Sequence, residues 1–247
     1  MTPQRPQRVK ERPRALVTGG AVRVGRAIAL ALAEGGMDVA IGYHRSAADA
    51  RLTLQAIRET GARGVALRAD LADPRAARRL VVEAARRLGG LDVLVNSAAI
   101  FVRTPLDVVT PAQYDHTLAV NLRSALFCSQ AAARIMERGG GGHIVNIGDA
   151  GSERPWPNYL PYALAKAGIV ALTRGLAAAL APRRIAVNCV APGAVLRPPT
   201  FSRARWAALT RGHRGQPQDV GAAVLFFATC PPYITGQVLR VDGGEHP

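Results

Sequence analysis

Cysteine, lysine and long uncharged apolar runs are scarce in this 247-residue chain. The three cysteines, Cys128, Cys189 and Cys230, include no C-x-x-C pair, so neither a disulfide framework nor a zinc site is expected. No apolar stretch reaches the roughly 18 uncharged residues that a membrane span needs. The basic N-terminus lacks the apolar core of a secretory signal. We therefore expect a cytoplasmic protein with no membrane contact and no bound metal.

Acidic residues are also few, since 17 Asp and Glu stand against 32 Lys and Arg, a formal net charge of +15. Such a balance is typical of nucleic-acid binding. The arginine clusters at residues 5–14, 75–87 and 203–214 are modest, however, and are not interleaved with stacking aromatics. A solvated arginine-rich surface is the favoured interpretation, without a nucleic-acid partner. Lysine occurs only as Lys10 and Lys166, and Lys166 therefore suggests chemistry that a guanidinium cannot perform.

Short β-rich runs alternate with longer segments of helical spacing. The predicted strands are 15–18, 38–43, 64–69, 92–96, 143–147, 185–190 and 237–241. The predicted helices include 23–34, 47–60, 74–88 and 159–181. This alternation predicts a parallel sheet with helices on both faces. We expect one doubly wound, Rossmann-type α/β domain of seven strands over residues 14–247, preceded by a flexible basic arm over residues 1–13.

A glycine-rich turn, TGGAVRVG at Thr18–Gly25, follows the first predicted strand and precedes a predicted helix. Small residues there let the backbone approach a pyrophosphate at the helix N-terminus. Glycine alone is weak support, because any tight strand-to-helix turn uses it, but its position after the first strand strengthens the prediction. We expect cofactor contacts from Gly19, Arg23, Val24 and Gly25.

The residues after the second strand offer no acid. About 20 residues past the glycine-rich turn, an NAD site usually places Asp or Glu on the ribose 2′-hydroxyl. This chain has His44, Arg45 and Ser46 there, and a guanidinium with a hydroxyl suits a 2′-phosphate. Arg45 could equally be another exposed loop arginine. Together with Arg23, the pattern predicts NADPH rather than NADH.

Tyr162 and Lys166 stand four residues apart on one face of a predicted helix. A free phenol has a pKa near 10, and a nearby cation lowers that pKa toward a useful acid–base range. The spacing is common by chance. Combined with the glycine-rich turn and the rarity of lysine, it indicates an acid–base pair.

With these motifs in order, the chain resembles the short-chain dehydrogenase/reductase family from Arg14 to Gly244. The matching elements are the turn Thr18–Gly25, Asp70 after the third strand, Asn96-Ser97-Ala98-Ala99 after the fourth, Asn121 in the helix Tyr114–Glu137, Tyr162, Lys166 and Pro192-Gly193. Each has another interpretation on its own, such as a helix cap for Asp70, a strand end for Asn96 and a solvated position for Asn121. Their joint order favours the family.

The resemblance implies site roles and an assembly. Tyr162 would be the proton donor, Lys166 would bind the nicotinamide ribose and lower the Tyr162 pKa, and Asn121 would join a proton relay. The helices that hold Asn121 and Tyr162 would build a homotetramer. Cofactor contacts are implied for Asp70, Leu71, Asn96, Ser97, Ala98, Tyr162, Lys166, Pro192 and Gly193.

Departures from the common family pattern resemble the pteridine reductase branch, including bacterial dihydromonapterin reductases. Asp149 stands where the family usually has a serine, and Ser97 and Ala99 replace the usual Asn and Gly. The R in T-G-x-x-x-R-x-G, which is Arg23, and the H-R-S turn are also similar. Phe101 matches the aromatic that stacks a pterin against the nicotinamide, although it could instead be a core aromatic.

The aspartate suits a nitrogen heterocycle better than a ketone. A carboxylate beside Tyr162 raises the pKa of the phenol and repels a developing oxyanion. A pterin instead presents N–H donors, and its C=N reduction ends with a proton on nitrogen. Asp149 could accept from the ring or supply that proton with Tyr162. Arg23 would contact both phosphate and heterocycle.

The sequence therefore predicts an NADPH-dependent reductase of a small pterin substrate such as dihydrobiopterin, dihydromonapterin or dihydrofolate. One alternative is a carbonyl reductase of 3-oxoacyl type, with the basic segment 203–214 receiving a phosphopantetheine carrier. Another is a nucleotide- or nucleic-acid-binding module that uses the positive charge. Tyr162, Lys166 and Asn121 argue against the module, because binding needs no proton relay. The Pro- and Arg-rich segment 194–216 is expected to cover the substrate.

Overall fold

The structure, a computed structural model, describes residues 12–153, 156–210 and 214–245. Of the predicted basic arm, residues 1–13, all but the last two lie outside the described residues. Residues 211–213 of the predicted covering segment lie outside them as well.

Seven parallel strands form one sheet in the order β3-β2-β1-β4-β5-β6-β7, which confirms the predicted fold. The strands are β1 (Arg14–Thr18), β2 (Asp38–Tyr43), β3 (Gly64–Arg68), β4 (Val93–Asn96), β5 (Gly142–Ile147), β6 (Ile185–Pro192) and β7 (Val238–Val241). Successive side chains of a strand point to opposite faces, so Ala15 and Val17 join the core on one face and Leu16 the core on the other. A sheet buried on both faces accounts for the nearly continuous apolar strands.

Two helical layers cover the sheet. The helices are α1 (Arg23–Glu34), α2 (Ala47–Glu59), α3 (Pro74–Leu88), α4 (Pro111–Leu118), α5 (Ser124–Gly139), α6 (Leu160–Leu180), α7 (Arg203–Thr210) and α8 (Pro217–Thr229). Helices α1, α2 and α8 pack on one face, and α3, α5 and α6 on the other. Helix α3 begins at the predicted residue because the Asp73 carboxylate caps the Arg75 amide and Pro74 follows it.

The predicted single helix Tyr114–Glu137 is wrong in detail. A capping box between Thr110 and Gln113 starts α4 at Pro111, and a five-residue π-helical turn (Ala119–Arg123) joins α4 to α5. π-helical turns inside longer helices occur frequently at functional sites. Asn121 lies in this turn and is 3% exposed, so it is not a solvated helix residue.

Helix α6 and the residues up to Arg183 are long and apolar enough to cross a membrane by length and composition alone. In this fold α6 packs against β6 and α4. Its inward residues include Ala165, Ile169 and Leu180, which are almost fully buried. We interpret it as a core helix of the domain.

The site is built where the strand order reverses between β1 and β4, at the carboxyl ends of the strands. Thr18 pairs with Asn96 across these two strands, and Asn96 pairs with Asn146 of β5. The Thr18 hydroxyl accepts hydrogen bonds from the backbone amides of Ser97 at 3.0 Å and Ala98 at 3.1 Å. In open α/β sheets such a reversal forms the crevice in which ligands bind.

Leu94 on the central strand β4 is fully buried, whereas Leu52 on α2 is 63% exposed. We expect Leu94→Ala to lower the free energy of unfolding by about 2–5 kcal/mol, because it leaves a cavity in a packed core. The control Leu52→Ala removes the same atoms from the surface and should change it by less than about 0.5 kcal/mol. Urea unfolding followed by circular dichroism measures both, and equal losses would contradict the burial of β4.

Candidate active site

The glycine-rich turn between β1 and α1 has no room for side chains. Gly19 has φ +66°, and a Cβ placed on it would lie 2.8 Å from the Ala98 Cα atom. A Cβ on Gly25 would clash with the Gly19 carbonyl oxygen. The turn is therefore a backbone cradle at the start of α1, which suits a pyrophosphate. Val24 beside it packs against the core with its side chain.

Arg23 connects this cradle to the segment after β6. Its backbone has φ +54°, in the left-handed region that non-glycine residues rarely adopt. Its Nη2 atom donates to the carbonyls of Leu196 at 3.3 Å and Arg197 at 3.2 Å. The predicted contacts of Arg23 with phosphate and substrate stay predictions, and the structure adds this bridge to the covering segment.

The turn after β2 holds His44, Arg45 and Ser46 near Asp70. The first two are exposed, and His44 Nε2 lies 3.9 Å from Asp70 Oδ2. Asp70 Oδ1 accepts from the Ala72 amide at 3.0 Å, and the cap of α3 is Asp73 rather than Asp70. Leu71 packs its side chain into the core.

Arg68, which the sequence analysis does not select, also belongs to this end of the site. Its Nε atom donates to the His44 carbonyl at 3.2 Å. The only signal in the sequence is its position at the end of a strand expected beside β2. Parallel pairing aligns Arg68 with Tyr43, and this alignment is not readable without the sheet order.

Asn96 uses its side chain inside the protein. Its Nδ2 donates to Ser129 Oγ at 3.1 Å and to Asn146 Oδ1 at 2.8 Å, and Asn146 Nδ2 donates to Thr173 Oγ1 at 2.9 Å. This buried chain of polar groups runs from α5 across β4 and β5 to α6, on the one face of the sheet that both helices cover. The Asn96 Nδ2 group is occupied in this chain, while its Oδ1 atom is buried without a hydrogen-bond partner among the described residues. The predicted role of Asn96 at the cofactor stays a prediction.

The Asn121 side chain is likewise fully engaged. Its Oδ1 accepts from the Ile100 amide and its Nδ2 donates to the Ile100 carbonyl, both at 2.8 Å. This two-point pairing fixes the backbone next to Phe101. The predicted relay role of Asn121 stays a prediction, and the side chain itself orients the loop after β4.

Asp149, Tyr162 and Lys166 converge at the end of β5. The Tyr162 hydroxyl donates to Asp149 Oδ2 at 2.7 Å, and the Gly151 amide donates to Asp149 Oδ1 at 2.8 Å. Lys166 Nζ donates to the Ile147 carbonyl at 2.7 Å and lies 5.7 Å from the Tyr162 ring centroid. The structure thus brings together the three side chains that the sequence analysis places in the chemistry.

Of the two opposing effects expected on the Tyr162 pKa, the raising by Asp149 is found in this arrangement and a net lowering by Lys166 is not. Burial and the Asp149 carboxylate together hold the pKa of Tyr162 well above its ordinary value. Burial also lowers the pKa of Lys166, while Asp149 opposes that change. The phenol is therefore protonated at neutral pH.

Four aromatic rings form a cluster with the Tyr162 ring of this centre. Phe101 stacks on Tyr159 with centroids 4.3 Å apart and meets Tyr162 edge-on at 4.8 Å. Trp156 and Phe201 complete the cluster at 5.8 Å and 6.2 Å from Phe101. The cavity beside Tyr162 has a volume of about 30 Å³, enough for one or two waters.

Phe101 is predicted from the sequence, whereas Trp156, Tyr159 and Phe201 are not. Only 5% of the chain is aromatic, so aromatic residues close to Tyr162 in sequence were a usable signal. Phe201 gives no such signal, because it comes from the segment after β6. Pro192 ends β6 and Gly193 begins that segment, where the Gly193 amide donates to the Val241 carbonyl at 3.0 Å.

Known proteins share this architecture. The enoyl-(acyl carrier protein) reductase family model matches residues 20–246. The 3-oxoacyl-[acyl-carrier-protein] reductase FabG of Staphylococcus aureus is 34% identical over 239 residues, which are 94% of this chain and 97% of that protein. The chain belongs to the short-chain dehydrogenase/reductase family.

Solved structures of this short-chain dehydrogenase/reductase fold agree. A short chain dehydrogenase from Burkholderia cenocepacia in complex with NADP has a TM-score of 0.89 and 41% identity, and the match covers 95% of this chain and 98% of that one. A blue fluorescent protein from a metagenomic library in complex with NADPH has a TM-score of 0.88 and 36% identity, with the same coverage. The chain is thus an NAD(P)-dependent oxidoreductase of small molecules.

The hydrogen bond between Asp149 and Tyr162 generates a prediction about titration. We expect Asp149→Asn to lower the pKa of Tyr162, because it removes the negative charge that disfavours phenolate. Ultraviolet titration at the phenolate band should show one additional tyrosine ionising before alkaline unfolding. The double variant with Tyr162→Phe should lack that signal. Identical titrations of the wild type and Asp149→Asn would show that the carboxylate does not control Tyr162.

Proposed function

We propose that this protein is an NADPH-dependent reductase of a planar nitrogen heterocycle of the pterin class, the predicted function. The observation that carries the proposal is the 2.7 Å hydrogen bond from the Tyr162 hydroxyl to Asp149. A carbonyl reductase needs donors around the developing oxyanion, and an aspartate there is unfavourable. A pterin ring, in contrast, carries N–H groups that donate hydrogen bonds to a carboxylate. One of its ring nitrogens gains a proton during reduction.

The residues present fit a phosphorylated dinucleotide. Glycines at positions 19 and 25 keep the cradle at the start of α1 open for a pyrophosphate. His44, Arg45 and Ser46 would hold the 2′-phosphate, and Lys166 the nicotinamide ribose. NADPH supplies the hydride that becomes bonded to a ring carbon.

The protein supplies the proton and the orientation. Tyr162 keeps its proton at neutral pH because burial and Asp149 raise its pKa. Its hydroxyl therefore holds the proton that the reduction consumes. The ring nitrogen of the C=N bond takes that proton as the adjacent carbon takes the hydride. Asp149 then accepts from a neighbouring ring N–H, which fixes the orientation of the heterocycle.

A bicyclic ring requires the aromatic cluster to open, because the cavity of about 30 Å³ is smaller than any pterin. Phe101 has Tyr159 stacked on one face, so the substrate would extend this stack or replace Tyr159 in it. Offset stacking of such rings is favourable by about 0.5–1.5 kcal/mol beyond burial. The opening would come from the Phe201 segment, residues 196–201 after β6. Among the described hydrogen bonds, only those of Arg23 join this segment to the cofactor cradle.

A carbonyl reductase of 3-oxoacyl type remains the second candidate. The match to 3-oxoacyl-[acyl-carrier-protein] reductases favours it, and arginines such as Arg203 and Arg205 near the Phe201 segment could meet an acidic carrier. Asp149 opposes it for the reason given above. The two candidates share the cofactor and the proton donor and differ only in the substrate.

The assembly and location follow the family expectation. We propose a homotetramer built on α5 and α6, whose Leu126 and Leu164 are 40% and 55% exposed. We place the enzyme in the cytoplasm, because Cys128, Cys189 and Cys230 are free and buried. We expect neither a membrane nor a nucleic acid as partner.

A substrate panel tests the function. We expect NADPH oxidation with dihydrobiopterin, dihydromonapterin or dihydrofolate to exceed that with 3-oxoacyl thioesters and simple ketones by at least about tenfold in kcat/KM, a difference of 1.4 kcal/mol. The Asp149→Ser variant should lose pterin turnover. Turnover confined to carbonyl substrates, or a gain of 3-oxoacyl activity in Asp149→Ser, would favour the second candidate.

Removal of the Tyr162 hydroxyl tests the proton donor. We expect Tyr162→Phe to lower kcat by about 10²–10⁴-fold, the usual contribution of general acid catalysis, while the Kd for NADPH stays within about twofold because only one hydroxyl is removed and the ring stays in place. Steady-state kinetics and fluorescence titration with NADPH give the two values. The matched control Tyr233→Phe changes a 98% exposed hydroxyl and should leave both unchanged. A near-native kcat in Tyr162→Phe would exclude this residue as the donor.

A further inference from the structure

The carboxyl ends of β2 and β3 meet at the edge of the sheet that faces the predicted adenosine end of the cofactor. Strand pairing places Tyr43 opposite Arg68. The chain leaves β2 as the turn His44–Ser46 and leaves β3 toward Asp70. Arg68 is therefore the residue of β3 closest in register to the turn that the sequence assigns to the 2′-phosphate.

Arg68 is attached to that turn. Its Nε atom donates to the His44 carbonyl at 3.2 Å, which leaves two guanidinium nitrogens. In the described part of the chain, neither Arg68 nor Arg45 forms a salt bridge within 4.0 Å. Arg63, in contrast, pairs with Asp38 at 3.6 Å. Two guanidinium groups without an acidic partner beside one turn favour the binding of an anion there.

The turn itself supplies further anion-binding groups. Ser46 is the N-cap of the 13-residue helix α2, and its hydroxyl makes no capping hydrogen bond. The N-terminus of α2 favours negative charge. Asp49 in its first turn and Asp70 beside His44 oppose an anion, so the second guanidinium compensates for carboxylates that Arg45 alone would face.

Resting on the proposed use of NADPH, we propose that Arg68 is a specificity-determining and positioning residue for the cofactor 2′-phosphate. Its Nε atom holds the His44 carbonyl and so fixes the turn that presents Arg45 and Ser46. Its terminal nitrogens contribute a second positive group to the phosphate. The preference for NADPH over NADH thus depends on two strands rather than on the turn after β2 alone.

Ligand binding separates this role from a general structural one. The wild type, Arg68→Ala, Arg68→Lys and Arg45→Ala are titrated by calorimetry with adenosine 2′,5′-bisphosphate and with 5′-AMP, and their Kd values for NADPH and NADH are measured by fluorescence. The control is Arg58→Ala, which removes an exposed arginine of the same helix α2, 12 residues beyond Ser46 and so about 18 Å along the helix.

We expect Arg68→Ala to raise the Kd for adenosine 2′,5′-bisphosphate and for NADPH by about 5- to 30-fold at low ionic strength. The Kd for 5′-AMP and for NADH should rise by less than about twofold. The loss should shrink at 0.5 M salt, because exposed charges are screened. Arg68→Lys should recover part of the affinity through its charge but not the geometry of the fork. Arg58→Ala should match the wild type.

Equal weakening of both ligand pairs in Arg68→Ala, or no weakening of the 2′-phosphorylated pair, would overturn the inference. In those cases a wild type that still prefers NADPH, with Arg45→Ala reducing that preference, leaves the proposed cofactor intact. A wild type without any preference for the 2′-phosphate would overturn both. The substrate panel is unaffected by either result and tests the pterin assignment separately.

Discussion

The contact between the Tyr162 hydroxyl and the Asp149 carboxylate is the interaction on which the chemistry of this site depends. At 2.7 Å it joins an acid–base residue of helix α6 to the end of strand β5. The same carboxylate, together with burial, raises the pKa of Tyr162, and it opposes the lowering of the Lys166 pKa by burial. Because a serine in that place would carry no charge, the family scaffold here presents an acceptor where a ketone would need a donor. In the proposed function, the cofactor cradle and the aromatic cluster place a heterocycle beside this pair.

Much of the fold was predictable because its determinants are local or periodic. Helices α1 and α3 and strand β2 have the predicted bounds, since apolar periodicity, Pro74 and the Asp73 cap act within a few residues. The π-helical turn at Asn121 was not predicted, because one extra residue in a long helix hardly changes its hydrophobic pattern. The Asn121 side chain in this turn pairs with the Ile100 backbone, a tertiary contact that the sequence pattern does not show.

The site was predictable in its residue types but not in its contacts. The rare lysine, its tyrosine partner and the aspartate were all found from the sequence, and the structure joins them. Arg68 and Phe201 were not predicted. The register of β3 against β2 brings Arg68 to the turn after β2, and the chain after β6 brings Phe201 to the aromatic cluster. The direction in which the Tyr162 pKa shifts is set by burial and by the Asp149 carboxylate, while the Lys166 ammonium group lies 5.7 Å from the ring centroid. The spacing of Tyr162 and Lys166 along a helix does not show which of these effects is larger.

The buried chain of hydrogen bonds from Ser129 through Asn96 and Asn146 to Thr173 holds β4 and β5 against α5 and α6. Each link joins two side chains between the sheet and these helices, so displacing β4 or β5 would leave polar groups unsatisfied in the interior. Leu196 and Arg197, in contrast, are joined to the cofactor cradle only through exposed guanidinium contacts among the described hydrogen bonds, and water can replace these. The segment after β6 can therefore vary in sequence with less effect on the strands that position Asp149 than the buried chain can.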